Sequence, residues 1–465
     1  MNARIFAPLA VALALAGCAS FDGIAPTARS LQAADLGAGG AAMEWPAADW
    51  WSAFADPELG RLIERALADN PGLKIAQARV VRAQAAAGSA ESALYPQLNA
   101  DASLQRQRYS EHADVPPPIA GSVQEFGRAR LTAGWEIDFF GRNRAALDAA
   151  LGSAQAAAAD AQAARVLLAS EVARRYFGLA RLIEQRDNAL DTLKQRRAIL
   201  KLVDERVQAG LDTKVEYEQA AGAVPEIERD LAGLDEQIAL ARHGLAALLG
   251  AGPQAADAIS PRLAQVRAPD LPASLPADLV GRRADLTAAR LRVQAALRQV
   301  DAAKAEFYPN VNLLAFVGFS AFGLANWFDS GSREAGVGAA IHLPIFDAGR
   351  LRANLRGKSA DADAAVETYN ATLVEALRQV ADPVATLAAL ERQQAQQAQA
   401  LSAAQNALDL ALQRYRAGLG GYLSVLAAET NVLAQRRTST DLKARGLDAR
   451  VQLIHALGGG YSAAA

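Results

Sequence analysis

The clearest pattern along the chain is an alternation with a period of two. From Leu98 the apolar positions are Leu98, Ala100, Ala102 and Leu104, with Asn99, Asp101, Ser103 and Gln105 between them. From Leu131 they are Leu131, Ala133, Trp135, Ile137 and Phe139, set against Thr132, Gly134, Glu136 and Asp138. Successive side chains of a strand point to opposite faces, so both stretches predict strands with one apolar and one polar face. Val311, Leu313, Val317 and Phe319 repeat the pattern, followed by Val337, Ala339, Ile341 and Leu343. Loops rich in turn residues, "ADVPPPIAGS" and "ANWFDSGSRE", separate the members of each pair. The prediction is two hairpins and four strands.

A second regime follows each hairpin. Residues 142–209 contain no proline and are dominated by Ala, Leu, Gln, Arg and Glu. They predict a single helix of about 100 Å at ~1.5 Å per residue. It ends at Ala209-Gly210-Leu211-Asp212-Thr213. Gly210 suits the left-handed position past a helix, Leu211 the apolar contact beyond it, and Asp212 or Thr213 the cap of a returning helix. Ala417-Gly418-Leu419-Gly420-Gly421 plays the same part in the second half, with Pro383 inside the preceding helix as an expected kink. The many alanines allow close helix approach and leave a thin apolar stripe, which suits helices packed side by side in a wall.

These parts recur because the chain is duplicated. Tyr95-Pro96 and Tyr308-Pro309 lie 213 residues apart, whereas Gly141-Arg142 and Gly349-Arg350, and "RVQAGL" and "RYRAGL", lie 208 apart. The first half therefore holds about five extra residues between its first two marks. The resulting plan is a signal segment over 1–17, a linker over 18–55, helices over 56–94, a β-hairpin over 95–140 and a long helical hairpin over 141–250. A Pro-rich connector over 251–285 leads to a helix over 286–307, a β-hairpin over 308–346, a second long helical hairpin over 347–457 and a tail over 458–465.

Composition narrows what such a chain can be. Lys and Arg number 48 against 50 Asp and Glu, a net charge of -2, which removes the electrostatic case for a nucleic-acid partner. No later apolar stretch reaches the ~20 residues of a transmembrane helix, so any membrane crossing must use the strands. Strands in lipid must close on themselves, and the smallest usual barrel takes ~8, so four require a dimer or a trimer of the chain. The polar face, including Asn99, Asp101, Ser103, Gln105, Glu136 and Asp138, would then line the lumen. Arg4 followed by the apolar run 5–16 has the make-up of a secretory signal. Cys18 is the chain's single cysteine, so neither a disulfide nor a Cys-based metal site holds the mature fold. Enzyme chemistry finds no support: "RGKSA" at 356–360 lacks the first glycine of a phosphate loop, and His112, His243, His342 and His455 show no metal spacing. No cofactor is expected.

Two resemblances complete the reading. Leu15-Ala16-Gly17-Cys18 resembles the lipobox of bacterial lipoproteins, which implies lipidation of Cys18 and, with Ala19 following, sorting to the outer membrane. "DPELGRLIERALADNPGLKIAQARV", "WEIDFFGRNRAAL", "LPADLVGRRADLTAAR", "LPIFDAGRLRANL", "RYRAGLGGYLSVL" and "ALGGGY" occur in an order similar to that of the outer membrane factor family of efflux and secretion channels. Ala284 departs from it, standing where the family often has proline. The resemblance implies a mixed α and β fold: a homotrimeric outer-membrane β-barrel of twelve strands, continued by a long periplasmic α-helical barrel. It implies a periplasmic adaptor (membrane fusion) protein, an inner-membrane transporter and outer-membrane lipid as partners. It also implies adaptor-docking tips at Gly210, Leu211, Gly418 and Leu419, and a periplasmic gate at Leu423. There Ala427 takes the family's acidic position, and Asp212 and Glu429 are the nearest acids. Export of small toxic compounds is the expected function, favoured by the lipobox and "IFDAGRLRANL"; type I protein secretion is the alternative.

Overall fold

The computed structural model describes residues 20–36, 45–112, 115–267, 269 and 282–461. Cys18 and the signal segment lie outside these, as do residues 270–281 of the connector. The first half contains α1 (Pro57–Asp69), α2 (Pro71–Ser92), β1 (Gln97–Arg108), β2 (Val123–Ile137), α3 (Arg142–Gln208) and α4 (Lys214–Leu248). The second contains α5 (Ala284–Ala305), β3 (Asn310–Phe322), β4 (Arg333–His342), α6 (Arg350–Arg416) and α7 (Tyr422–Ala456). Over the long helices the duplication holds to the residue: α3 and α6 each run 67 residues, and α4 and α7 each run 35. Among the described residues no helix is long and apolar enough to cross a membrane.

The long helices end identically for a stereochemical reason. Gly210 and Gly418 have φ of 71° and 73°, a region that costs a residue with a Cβ. That twist lets Gly210 N–H donate to Val207 O and Leu211 N–H to Arg206 O, and likewise Gly418 N–H to Tyr415 O and Leu419 N–H to Arg414 O. Carbonyls orphaned at a helix end are thereby satisfied. Inside the helices, α6 continues through Pro383 and α4 through Pro225, so each proline removes a backbone hydrogen bond without ending its helix.

The chain forms two compact units, each drawing on both halves of the repeat. One holds residues 79–157 and 288–369 with the N-terminal segment to Ser30. Its four strands form one antiparallel sheet in the order β1-β2-β3-β4, leaving β1 and β4 as edges. The halves join at β2 and β3, where Trp135 pairs with Leu313 and Leu131 with Val317. The register separates an apolar from a mixed polar and aromatic face over the middle of the sheet, with Arg106 and Glu125 joining the apolar side only toward the hairpin loops. Leu98, Ala133 and Ala315 share one face, as do Ala100, Leu131, Val317 and Ala335. Asn99, Thr132 and Phe316, and Asp101, Arg130, Gly318 and Glu334, share the other. Asp138 corrects the expectation that it lines the polar face: β2 stops at Ile137, and the Asp138 carboxylate instead accepts from the backbone N–H of Asn143 and Arg144 at the start of α3.

A segment running from Ser20 is strapped to this unit. Phe21 packs edge-on against Phe307, with ring centroids 5.5 Å apart, and Asp363 accepts from the N–H of Thr27 and Ala28 at 2.7 and 2.8 Å.

The other unit holds residues 31–78, 158–287 and those from 370 onward. Phe54, Tyr176 and Phe177 anchor its largest core with Leu59, Ile63 and Leu245. Asp56 serves twice there, capping α1 through the N–H of Glu58 and accepting from the Tyr176 hydroxyl at 2.7 Å. After α7 come Gly458, Gly459 and Gly460, all with positive φ. A methyl group at these positions would overlap the Arg282 carbonyl, the Val166 side chain and the Ala47 carbonyl respectively.

Candidate functional site

The turns that end α3 and α6 lie in the same compact unit, on a shared core. Ile199, Val203 and Ala220 of the first hairpin pack with Leu408, Tyr415, Tyr422 and Val425 of the second. Around this core the two tips are built differently, and the repeat shows where. Asp212 of the first tip corresponds to Gly420 of the second, and Thr213 to Gly421. Thr213 caps α4 by accepting from the N–H of Val215, and the Glu216 carboxylate accepts in turn from the Thr213 backbone N–H, a reciprocal capping box. Gly421 gives α7 no side-chain cap.

Asp212 does not cap a helix. It accepts from Arg206 Nε at 2.9 Å and from the Tyr415 hydroxyl, so an acid of the first tip holds a tyrosine of the second. The Arg206 guanidinium lies 4.7 Å from the Tyr415 ring centroid, and Tyr415 is fully buried. Burial works against ionising Asp212, yet the hydrogen bonds from Arg206 and Tyr415 outweigh it and hold the carboxyl below its ordinary range. Arg414, the repeat partner of Arg206, has no such acid and donates instead to the Leu419 carbonyl at 3.2 Å.

Glu429 occupies a second buried position. It is 3 % exposed and accepts from Arg196 Nε at 3.3 Å, while Arg196 also donates to the Ala223 carbonyl. Burial pushes the Glu429 carboxyl above its ordinary value against the opposing pull of Arg196. Burial also pushes the neighbouring Tyr422 hydroxyl up to about 12. Both acids named beside the gate thus have partners within the chain.

Leu423 and Ala427, by contrast, sit one turn apart on the exposed side of α7, opposite buried Val425 and Glu429. Leu211, Val215, Leu419 and Leu423 are 63–69 % exposed. Leu211 matches Leu419 in the repeat, and Val215 matches Leu423. Each tip therefore presents two apolar side chains that the chain's own core does not use. Gly210, Leu211, Gly418 and Leu419 stand out in the sequence, whereas Arg206, Tyr415 and Arg196 do not. The signal for Arg206 was present in "RVQAGL" and "RYRAGL"; nothing local marks Tyr415 or Arg196 as a partner.

The sheet and the tips are those of a recognised architecture. A family model described as outer membrane efflux protein matches residues 62–251 and 275–459, one stretch for each half of the repeat. This chain belongs to the outer membrane efflux protein family. Fusaric acid resistance protein FusA of Burkholderia cepacia is 42% identical over 366 residues, covering 76% of this chain and 69% of FusA. Multidrug resistance outer membrane protein MdtQ of Escherichia coli is 34% identical over 430 residues, covering 90% of this chain and 89% of MdtQ. Among solved structures, the outer membrane protein VceC of Vibrio cholerae superposes with a TM-score of 0.84 at 38% identity, covering 90% of this chain and all of VceC. The outer-membrane channel OprN does so with a TM-score of 0.81 at 28% identity, covering 94% of this chain and 97% of OprN. The outer membrane efflux protein described here thus has the mixed α and β, internally duplicated fold of these channels, with four strands among the described residues, and it is an efflux channel subunit of the outer membrane.

Proposed function

We propose that three copies of this chain close a twelve-stranded barrel and a helical tunnel, forming the passive outer-membrane duct of a tripartite pump for small toxic compounds. A periplasmic adaptor docks on the tips around Gly210, Leu211, Gly418 and Leu419, and an inner-membrane transporter supplies the energy. The observation that carries the assembly is the four-stranded sheet with one apolar face and two unpaired edges, β1 and β4. In lipid each unpaired backbone group costs several kcal/mol, so the edges of neighbouring copies must pair. The named roles of the relatives in fusaric acid and multidrug resistance support small molecules as cargo.

Leu423 forms the gate in this reading. Three copies converge near the axis and close the path by apolar contact and dewetting. Exposure of Leu423 on a helix that begins at uncapped Gly421 supports this, because that tip has the fewer local restraints. Cys18 carries the lipid anchor. The strap that seats Phe21 against Phe307, just before β3 begins, holds the segment from Ser20 onward against the unit that contains the sheet, which supports a membrane tether upstream of it.

Deleting the gene and testing sensitivity to antibiotics, dyes and aromatic acids, beside a protein-secretion assay, distinguishes the cargo. Sensitisation with secretion intact is the expected result. Loss of secretion without sensitisation would move the chain to protein export.

A further inference from the structure

The polar face of the sheet carries, near its hairpin loops, a group of side chains that neither the barrel's closure nor the gate requires. The ladder continues past β1 through the hydrogen bond from Tyr109 N–H to Ser122 O, which turns Tyr109 to the same face as Phe126 and Phe322. The Tyr109 and Phe322 ring centroids lie 5.6 Å apart and those of Phe126 and Phe322 5.1 Å apart. Arg128, two residues along β2, places its guanidinium 5.3 Å from the Phe126 centroid.

The charges behind these rings are unequally committed. Arg130 donates from Nε and one terminal nitrogen to Glu334 Oε1 at 2.9 and 2.7 Å and lies 4.1 Å over the Phe316 ring. Ser320 donates to the other Glu334 oxygen at 3.2 Å. Gly318 leaves the path between Arg130 and Glu334 clear, and Gly336 leaves room for the Phe316 ring, whose edge would come within 2.6 Å of a Cβ there. Arg130 and Glu334 therefore neutralise each other. Arg128 approaches the same carboxylate only to 3.9 Å, is half-exposed, and has Ser103 and Ser320 as its cross-strand neighbours. Asp101 faces Arg130 from β1, one step farther from the aromatic rings than Arg128.

We propose that Tyr109, Phe126, Phe322 and Arg128 form an exit surface in the lumen that binds planar aromatic anions in transit. This rests on the channel reading above and names the substrate class for it. Ring faces stack on one another without demanding a fixed orientation, and a guanidinium beside them pairs with a carboxylate. Water in the lumen screens the charge, so the contact is weak and renewable, as passage requires.

Planar-bilayer recordings of the purified trimer test this with two probes of equal size and opposite charge, 2-naphthoate and 2-naphthylmethylammonium, added from the loop side. The naphthoate is expected to block the current at roughly tenfold lower concentration than the ammonium probe. Arg128→Gln should abolish that preference, and the double variant Phe126→Leu with Phe322→Leu should weaken block by both probes about fivefold. Equal block by the two probes, or an unchanged preference in Arg128→Gln, overturns the exit surface while leaving the channel standing. The Leu423→Ala trimer, whose proposed gate is removed, gives the same comparison on an open path, and absence of any current from that intact trimer would instead overturn the channel reading on which the surface depends.

Discussion

The Tyr415 hydroxyl donates to Asp212 across 203 residues of sequence, tying the tip of the second helical hairpin to the tip of the first. A hydrogen bond to a charged group contributes about 1.5–3 kcal/mol, which is large beside the uncapped start of α7. Tyr415→Phe keeps the buried ring and removes only this tie. The tips should loosen, and single-channel conductance should rise with the trimer intact. Unchanged conductance would show that the tie is structural only.

The same tie has a defined pH dependence. Arg206 and Tyr415 hold the Asp212 carboxyl below its ordinary value of ~3.9, so the stabilisation is present above that value and lost as pH falls through the lower folded one. The part of the conductance response that Asp212→Asn removes should therefore stay flat from neutral pH to about pH 5 and change only in stronger acid, whereas Glu429, raised by burial, takes up its proton at higher pH than Asp212. Asp212→Asn should open the tips at neutral pH and remove the acid step.

Leu423→Ala should raise conductance and make cells leaky to large antibiotics, because it removes an exposed apolar side chain without disturbing the core. Ala427→Asp should mainly add cation selectivity. A Leu423→Ala trimer with wild-type conductance would send the search to its repeat partner Val215, which is equally exposed.

Arg196→Met should be among the most destabilising single changes near the tips. It leaves Glu429 buried without its ion partner, at a cost of about 3–5 kcal/mol. Adding Glu429→Leu removes the stranded charge and should restore most of the loss. Thermal unfolding of the two variants compares them directly; equal destabilisation would mean that Arg196 acts through packing alone.

Mass spectrometry of the mature protein should find no peptide from residues 1–17 and a diacylated Cys18. Native mass spectrometry in detergent should give a trimer. A dimer would keep a closed barrel but make it eight-stranded.

Much of this protein is written in short-range pattern. Alternation around Leu98, Leu131, Val311 and Val337 determines the strands and which face of each is apolar, because side-chain direction in a strand depends only on position parity. Gly210 and Gly418 determine where the long helices turn, because a left-handed residue is a local stereochemical demand. The duplication itself forecasts equal helix lengths. What tertiary structure alone decided is partnership. Asp212 reads as a possible helix cap, yet Thr213 takes that role and Asp212 goes to Arg206 and Tyr415. Asp138 reads as a strand residue on the polar face, yet it caps α3. Glu429 reads as one of the acids nearest the gate, yet the packing of four helices buries it against Arg196. A local pattern records the backbone preference of a residue and the side it faces; which distant side chain meets it there depends on how the two halves of the repeat pack together.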